Sequence, residues 1–230
     1  MVRANLNKDP DDVSKMFDGV ASRYDFLNDL LSLGRTKAWR KSVTTIIAPK
    51  SGMQILDIAA GTGSSARPLV DKGAQVTALD FSEGMLAQGR KQHKDIKFVQ
   101  GDALKLPFND DTFDVTTISF GLRNTSNTST ALKEALRVTK PGGKIVVAEF
   151  SHPVNKFFKL IYLNYLMKAL PIIARKISKN PQAYIYLAES IRAWPDQAGL
   201  ALILEQNGWK SVAWQDLIFG IVAVHIGYKA

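Results

Sequence analysis

Ile55-Leu56-Asp57-Ile58-Ala59-Ala60-Gly61-Thr62-Gly63 reads as an apolar strand that runs into a sharp glycine turn. Two later stretches close in the same way: Ala78-Leu79-Asp80 and Gly101-Asp102-Ala103 each place an acid at the end of an apolar run. Together they have the form of three strand ends of one open α/β sheet, each offering a contact to a nucleotide-type cofactor. Glycines at 61 and 63 let the backbone turn tightly and approach a ligand, and an acid about twenty residues later suits a ribose hydroxyl pair. Taken singly, these features are weak. G-x-G marks many strand-to-helix turns, and Asp80 before Phe81-Ser82-Glu83 also suits a helix start with Ser82 as N-cap. Their order, spacing and position after apolar strands carry the reading.

Gly61-Thr62-Gly63-Ser64-Ser65-Ala66 also satisfies the dinucleotide fingerprint, so the cofactor must be decided on other residues. Asp57 stands at the tip of the first strand, where a negative charge would repel a pyrophosphate but suits the ammonium and sulfonium of S-adenosyl-L-methionine. Asp102 followed by Ala103 offers a carboxylate to an adenine amino group and a backbone N–H to the ring. Nothing later in the chain supplies a hydride-transfer constellation. These points favour the methyl donor.

The 230 residues, 46% apolar and 22% charged, are enough for one domain with a full core. The chain shows neither linker, repeat nor low-complexity stretch, and Met1-Val2-Arg3-Ala4-Asn5 lacks the apolar run of a secretory signal, so a cytoplasmic location is expected. Cysteine is absent. That excludes disulfides, thiolate metal sites and the cysteine adduct by which pyrimidine C5 is commonly methylated. With only His93, His152 and His225, no histidine-based metal site is expected. A net charge of +9 would suit nucleic acid. However, there is no Asn-Pro-Pro-Tyr-like amine site, and the lysines interleave with aliphatics, so a nucleic-acid partner is not expected.

Periodicity places a helix from Asp11-Asp12 through Met16, Phe17 and Val20, and a second helical region over 24–47 with a break near Gly34. Strands follow at about 53–58, 75–80, 96–100, 113–119 and 144–150, separated by helices such as Glu83–Gln92 and Ser129–Val138. That alternation gives a doubly wound, mostly parallel sheet. The expected organisation is a capping region over 1–50, a cofactor-binding core over 51–152, a helical lid over 153–193, and a C-terminal part over 194–230. The last holds a helix Gln197–Gln206 and strands around 210–217 and 221–228, close enough in sequence to form a hairpin.

In such sheets ligands sit beyond the carboxyl ends of the strands. After the fourth strand comes Ser119-Phe120-Gly121-Leu122-Arg123-Asn124, and after the fifth Glu149-Phe150-Ser151-His152-Pro153. Tyr24 to Gly34 with Trp39-Arg40-Lys41, and Arg137-Val138-Thr139-Lys140-Pro141-Gly142-Gly143-Lys144 through Glu149-Phe150-Ser151, resemble the two signatures of the ubiquinone/menaquinone biosynthesis C-methyltransferase family. Phe120 to Asn124 lies between them, so the resemblance covers nearly the whole chain. Leu27 replaces a frequent methionine, and Thr36 stands where many members carry histidine. The resemblance implies a seven-stranded class I methyltransferase fold and methylation of a polyprenylated quinol ring. The lead-in Arg3 to Val13 and the histidine-free 34–39 segment look most like the menaquinone-only members, which points to demethylmenaquinol over a ubiquinone precursor.

The resemblance puts Thr62, Asp80, Asp102 with Ala103, and Ser119 on cofactor-contact positions. Carbon methylation needs the ring carbon aligned with the methyl and a developing phenolate stabilised. Arg123 stays protonated, so its expected role is to hold a quinol oxygen rather than to act as base. Asn124 suits the second oxygen, and Tyr24 suits the ring or a proton relay. The plain alternative for Arg123 is a surface ion pair; His152 is a weaker candidate for the base, and the favoured reading for it is a solvated ring before Pro153. The segment 153–192 carries Lys156, Lys159, Lys168, Arg175, Lys176, Lys179 and Arg192 against one acid, Glu189. Helical spacing sets Phe158, Ile161, Tyr162, Tyr165 and Leu166 on one side and Lys156, Lys159, Asn164 and Lys168 on the other, with Leu160, Leu163 and Met167 blurring the division. This suits either a lid with a solvated basic face or an interfacial element against anionic lipid.

Overall fold

The computed structural model describes residues 8–9, 12–13, 15–16, 35–169, 172 and 181–230. Tyr24, the helix expected from Asp11 and the break near Gly34 lie outside the described residues, wholly or for the most part. Among the described residues, seven strands form one sheet: β1 (Gln54–Ile58), β2 (Gln75–Asp80), β3 (Lys97–Gln100), β4 (Phe113–Ser119), β5 (Thr139–Phe150), β6 (Lys210–Leu217) and β7 (Val222–Tyr228). Their spatial order is β3-β2-β1-β4-β5-β7-β6. The first five are parallel, and β7 runs antiparallel to both β5 and β6, which makes β6 and β7 the hairpin that their closeness in sequence required.

Both faces of the central strands β1, β4 and β5 are buried because alternate residues point to opposite sides and both sides are apolar, whereas the edge strand β6 is largely exposed. Leu56, Ile58, Ile118 and Val147 pack with Leu132 and Ala135 of α4 (Thr128–Val138) and Leu200 and Leu204 of α7 (Gln197–Gln206). Their neighbours Ile55, Val115 and Val146 pack on the other side with Val43 and Ile47 of α1 (Thr36–Ile47) and Leu69 of α2 (Arg67–Val70). Side-chain caps start the helices where the sequence offers them. Ser82 Oγ accepts from Met85 N at 3.1 Å before α3 (Glu83–Gln92), and Asn127 Oδ1 accepts from Thr130 N at 3.0 Å before α4. Asn155 and Asp196 do the same for α5 (Lys156–Asn164) and α7.

The fifth strand starts earlier than its apolar run suggests. Phe113 pairs with Thr139, and after a register shift Val115 pairs with Lys144, so the Pro141-Gly142-Gly143 stretch is carried within the strand.

The lid segment differs from its expected form. α5 continues into a π-helical turn, Tyr165–Ala169, and α6 covers Pro181–Ala193. Of the side read as apolar, Tyr162 is buried and Phe158 half-buried, but Ile161 is 50% and Tyr165 39% exposed. The opposite side is not a purely basic one. Phe157 is 73% and Leu160 60% exposed, and both stand beside the exposed Lys156, whereas Lys159 is half-buried. The helix is apolar on two sides, because Phe157 and Leu160 fall between the lysines in its turn. Among the described residues, no helix is long and apolar enough to cross a membrane.

Candidate active site

A cavity of about 690 Å³ opens beyond the carboxyl ends of the parallel strands. One half of its wall is strand-end backbone. Ala59 to Thr62 follow β1, Asp80 to Ser82 follow β2, Gly101 to Leu104 follow β3, and Ser119 to Gly121 follow β4. Asp80 ties two of these turns together: its Oδ2 accepts from Gly61 N at 2.8 Å and its Oδ1 from Ser82 N at 2.9 Å. The helix-start role and a place in the cavity wall therefore coexist in one carboxylate. Asp102 Oδ1 accepts from Leu104 N at 2.8 Å, which folds its own turn against the cavity beside Ala103.

Close approach is built in at two glycines. Gly63 has φ +80°, and a Cβ there would lie 2.7 Å from the Phe98 ring. At Gly121 an added Cβ would collide with Ala59 Cβ, so the turns after β1 and β4 touch. Ala59 and Phe120, which precede this contact, hold φ of 55° and 59°, a conformation that costs about 1–3 kcal/mol for a non-glycine residue and clusters at ligand sites.

Gly61, Thr62, Asp80, Asp102, Ala103, Ser119, Arg123 and Asn124 all line this one cavity, and so does Thr36. Asp57 and Gly63 lie just behind its wall. Asp57 is fully buried, and its Oδ2 accepts from Ser65 Oγ at 2.7 Å, a residue that does line the cavity. Burial pushes the Asp57 carboxyl up to about 7, against the smaller opposing effect of the Ser65 hydrogen bond. The ligand-directed reading of this acid thus acquires an intermediary in Ser65.

The other half of the wall is side chains from distant elements. Arg123 is not a surface residue: it is 5% exposed, and its Nη1 donates to Glu149 Oε1 at 2.7 Å and to the Phe120 carbonyl at 2.5 Å. Its guanidinium carbon lies 5.1 Å from the Phe150 ring centroid, and its buried Nε has no hydrogen-bond partner among the described residues. Glu149 is 1% exposed at the end of β5, where its Oε1 also accepts from Phe150 N. Trp39 of α1 closes the aromatic wall, with ring centroids 5.4 Å from Phe120 and 6.1 Å from Phe150. Asn124 Oδ1 accepts from the Tyr186 hydroxyl of α6 at 3.2 Å. Phe158, Ile161, Tyr162, Leu187 and Ile191 complete an apolar side.

His152 is half-buried and does not line the cavity; its Nε2 is buried and has no hydrogen-bond partner among the described residues, and burial holds its pKa below the usual histidine value. That excludes the solvated ring expected of it. Sequence reading assigned no role to Glu149, Tyr186 or Ser65. A signal existed for the first: a charged residue closing the apolar run Val146-Val147-Ala148 has to be paired if it is buried.

The residues fit a sulfonium nucleoside. Ser119 Oγ is buried in the cavity wall and unpartnered among the described residues, which leaves a hydrogen-bonding group for a polar ligand end. The acids at the ends of β2 and β3 stand at the two further polar positions. Among the described residues, no cluster of three His, Asp or Glu side chains is placed to hold a metal ion.

A model of the ubiE/COQ5 methyltransferase family matches residues 4–229. A demethylmenaquinone methyltransferase of Streptomyces avermitilis is 55% identical over 230 residues, covering 100% of both chains. The enzyme of that name in Paenarthrobacter aurescens is 55% identical over 229 residues, 100% of this chain and 90% of its own. A solved SAM-dependent methyltransferase of Thermotoga maritima superposes with a TM-score of 0.70 at 19% identity, covering 94% of this chain and 99% of its own, which shows the shared fold.

Proposed function

The chain belongs to the ubiE/COQ5 methyltransferase family, and from that premise we propose that it methylates the ring carbon of demethylmenaquinol to give menaquinol, with S-adenosyl-L-methionine as donor. The observation that carries the reading is the union of two half-sites in one cavity. The strand-end turns that suit a nucleoside share about 690 Å³ with Arg123, Asn124 and an aromatic wall that suits a quinol. That size is ordinary for a ligand site, typically about 300–1,000 Å³.

The donor, when bound, supplies an electrophilic methyl group. Thr62, Asp80, Asp102 with Ala103, and Ser119 are the residues we assign to holding it, with Gly61 and Gly63 shaping the turn and Asp57 acting through Ser65. The rest of the work falls to the acceptor side. As the quinol hydroxyl loses its proton, negative charge builds on that oxygen and on the ring carbon ortho to it. Arg123 meets the oxygen as a fixed cation whose fork is already oriented by Glu149, so little reorganisation is needed as charge develops. Asn124 holds the second oxygen, and Tyr24, by its place in the family's first signature, orients the ring. Trp39, Phe120 and Phe150 keep water from the reacting carbon.

The prenyl tail leaves along α5 and α6, whose inner sides are apolar, and the segment 153–193 serves as the lid. The outer side of α5, with Phe157 and Leu160 beside Lys156, rests on an anionic membrane surface from which the quinol is drawn.

Labelled methyl donor offered with demethylmenaquinol, a demethylated ubiquinone precursor and transfer RNA decides the reading. Label should enter the naphthoquinol ring. Label in the benzoquinol would assign the ubiquinone branch, and label in the RNA would overturn the proposal.

A further inference from the structure

We propose that Tyr186 is a positioning residue for the methyl transfer: its hydroxyl, by donating to Asn124 Oδ1, fixes the Asn124 carboxamide so that Nδ2 is the group presented to the quinol oxygen. This rests on the proposed quinol methylation. The hydroxyl-to-amide distance is 3.2 Å, and both side chains line the cavity. A carboxamide can present either an acceptor or two donors, and only the donor edge lowers the energy of a phenolate. With Oδ1 taken by Tyr186, the donor edge is left. Among the described residues, no group accepts from Nδ2.

Tyr186 retains the proton that it donates. It is 2% exposed, and burial pushes its pKa up, more than the nearby Arg123 lowers it, so the hydroxyl keeps its proton throughout the working range. Asn124 closes a short 3₁₀ turn, Leu122–Asn124, next to Arg123, which Glu149 holds from behind. The two donors that meet the quinol oxygens are thus each oriented by a buried residue on another element: Glu149 on β5 for the guanidinium and Tyr186 on α6 for the amide.

Tyr186→Phe tests this with demethylmenaquinol and labelled donor. The expected result is a fall in kcat of about tenfold, the weight of one oriented hydrogen bond, with donor KM unchanged. The rise of kcat with pH as the quinol ionises should move to higher pH, by about one unit for a loss of that size. The double variant Tyr186→Phe with Asn124→Ala should be no slower than Asn124→Ala alone. If calorimetry shows that Tyr186→Phe no longer binds donor, Asn124→Asp replaces it. A carboxylate accepts from Tyr186 with one oxygen and turns the other at the phenolate, so it should be slower than Asn124→Ala.

An unchanged kcat and pH profile in Tyr186→Phe, multiplying losses in the double variant, or an Asn124→Asp variant as fast as Asn124→Ala would each overturn the assignment. Absence of methyl transfer by the unaltered protein would instead count against the proposed function itself.

Discussion

The two halves of the cavity, which we propose take the donor and the acceptor, are made differently. The donor half is backbone: Asp80 holds Gly61 N and Ser82 N, Asp102 holds Leu104 N, and the turns after β1 and β4 meet at Gly121. Each of these contacts is set once adjacent parallel strands are in register. The acceptor half is side chains brought from four elements: Trp39, Arg123, Glu149 with Phe150, and Tyr186. Its geometry depends on one buried ion pair and on how two helices sit against the sheet. Single changes should therefore affect the acceptor half through turnover and stability together, and the donor half through binding.

The hardest test of that division is Arg123→Ala, which leaves the Glu149 carboxylate buried and unpaired. Stability should drop by about 3–5 kcal/mol, and turnover should fall to near background. Adding Glu149→Gln should restore much of the stability, read by urea denaturation, without restoring turnover. Full recovery of activity in the double variant would mean that Arg123 serves the fold alone.

Asp57 probes the seam between the halves. Its folded-state carboxyl titrates near 7, against an ordinary 3.8. Between those values the native state holds a proton that the unfolded chain has lost, so stability falls as pH rises through that window and the stabilising contribution is gone above 7. Asp57→Asn removes this dependence. Its advantage over the parent should grow from pH 5 to about pH 7, by at most about 3 kcal/mol at ~1.4 kcal/mol per unit, and level off above that, in melts followed at several pH values. Parallel pH curves for the two proteins would show that Asp57 is already ionised in the native state.

Asp80→Ala should weaken donor binding by about 1.5–3 kcal/mol, the range for hydrogen bonds to a charged group, as read by calorimetry. The fold should survive, since the sheet does not depend on this side chain. The smallest effects belong outside the cavity. Exchange of Lys156, Lys159 and Lys168 for glutamine should weaken sedimentation with anionic vesicles by about 1 kcal/mol per lysine at the surface, less for the half-buried Lys159. Turnover of a short-tailed, water-soluble quinol should not change. Equal losses on vesicle-borne and soluble substrates would make these lysines part of the lid's packing.

The donor half was readable in the sequence for the reason that makes it robust. Strand, glycine turn and acid are adjacent in the chain, and Ser82 before Glu83 gives both the cap and the start of α3. The parallel run of the first five strands follows from their alternation with helices, and the hairpin from the short gap between β6 and β7. In the acceptor half, Arg123 and Asn124 were visible as residues beyond a strand, but their partners were not. Tyr186 lies 62 residues from Asn124, in a segment whose strongest pattern is charge. Glu149 is 26 residues from Arg123, with no turn or period to link them. On α5, wheel geometry found part of the inner apolar side and marked Leu160 as blurring the other, but not Phe157, because the lysines on either side of it dominate the pattern.

The place of β7 has a consequence for how the molecule comes into being. Residues 222–228 lie between β5 and β6 in the sheet, with Val222, Ala223, Val224 and His225 buried. On a ribosome, β6 emerges with no neighbour to pair with, and the edge of β5 stays open until this last strand follows. At about 5–20 residues per second, the wait is short but unavoidable. A nascent chain halted before residue 222 would hold the nucleoside turns in place around an unfinished sheet, and it would be a natural client for chaperones.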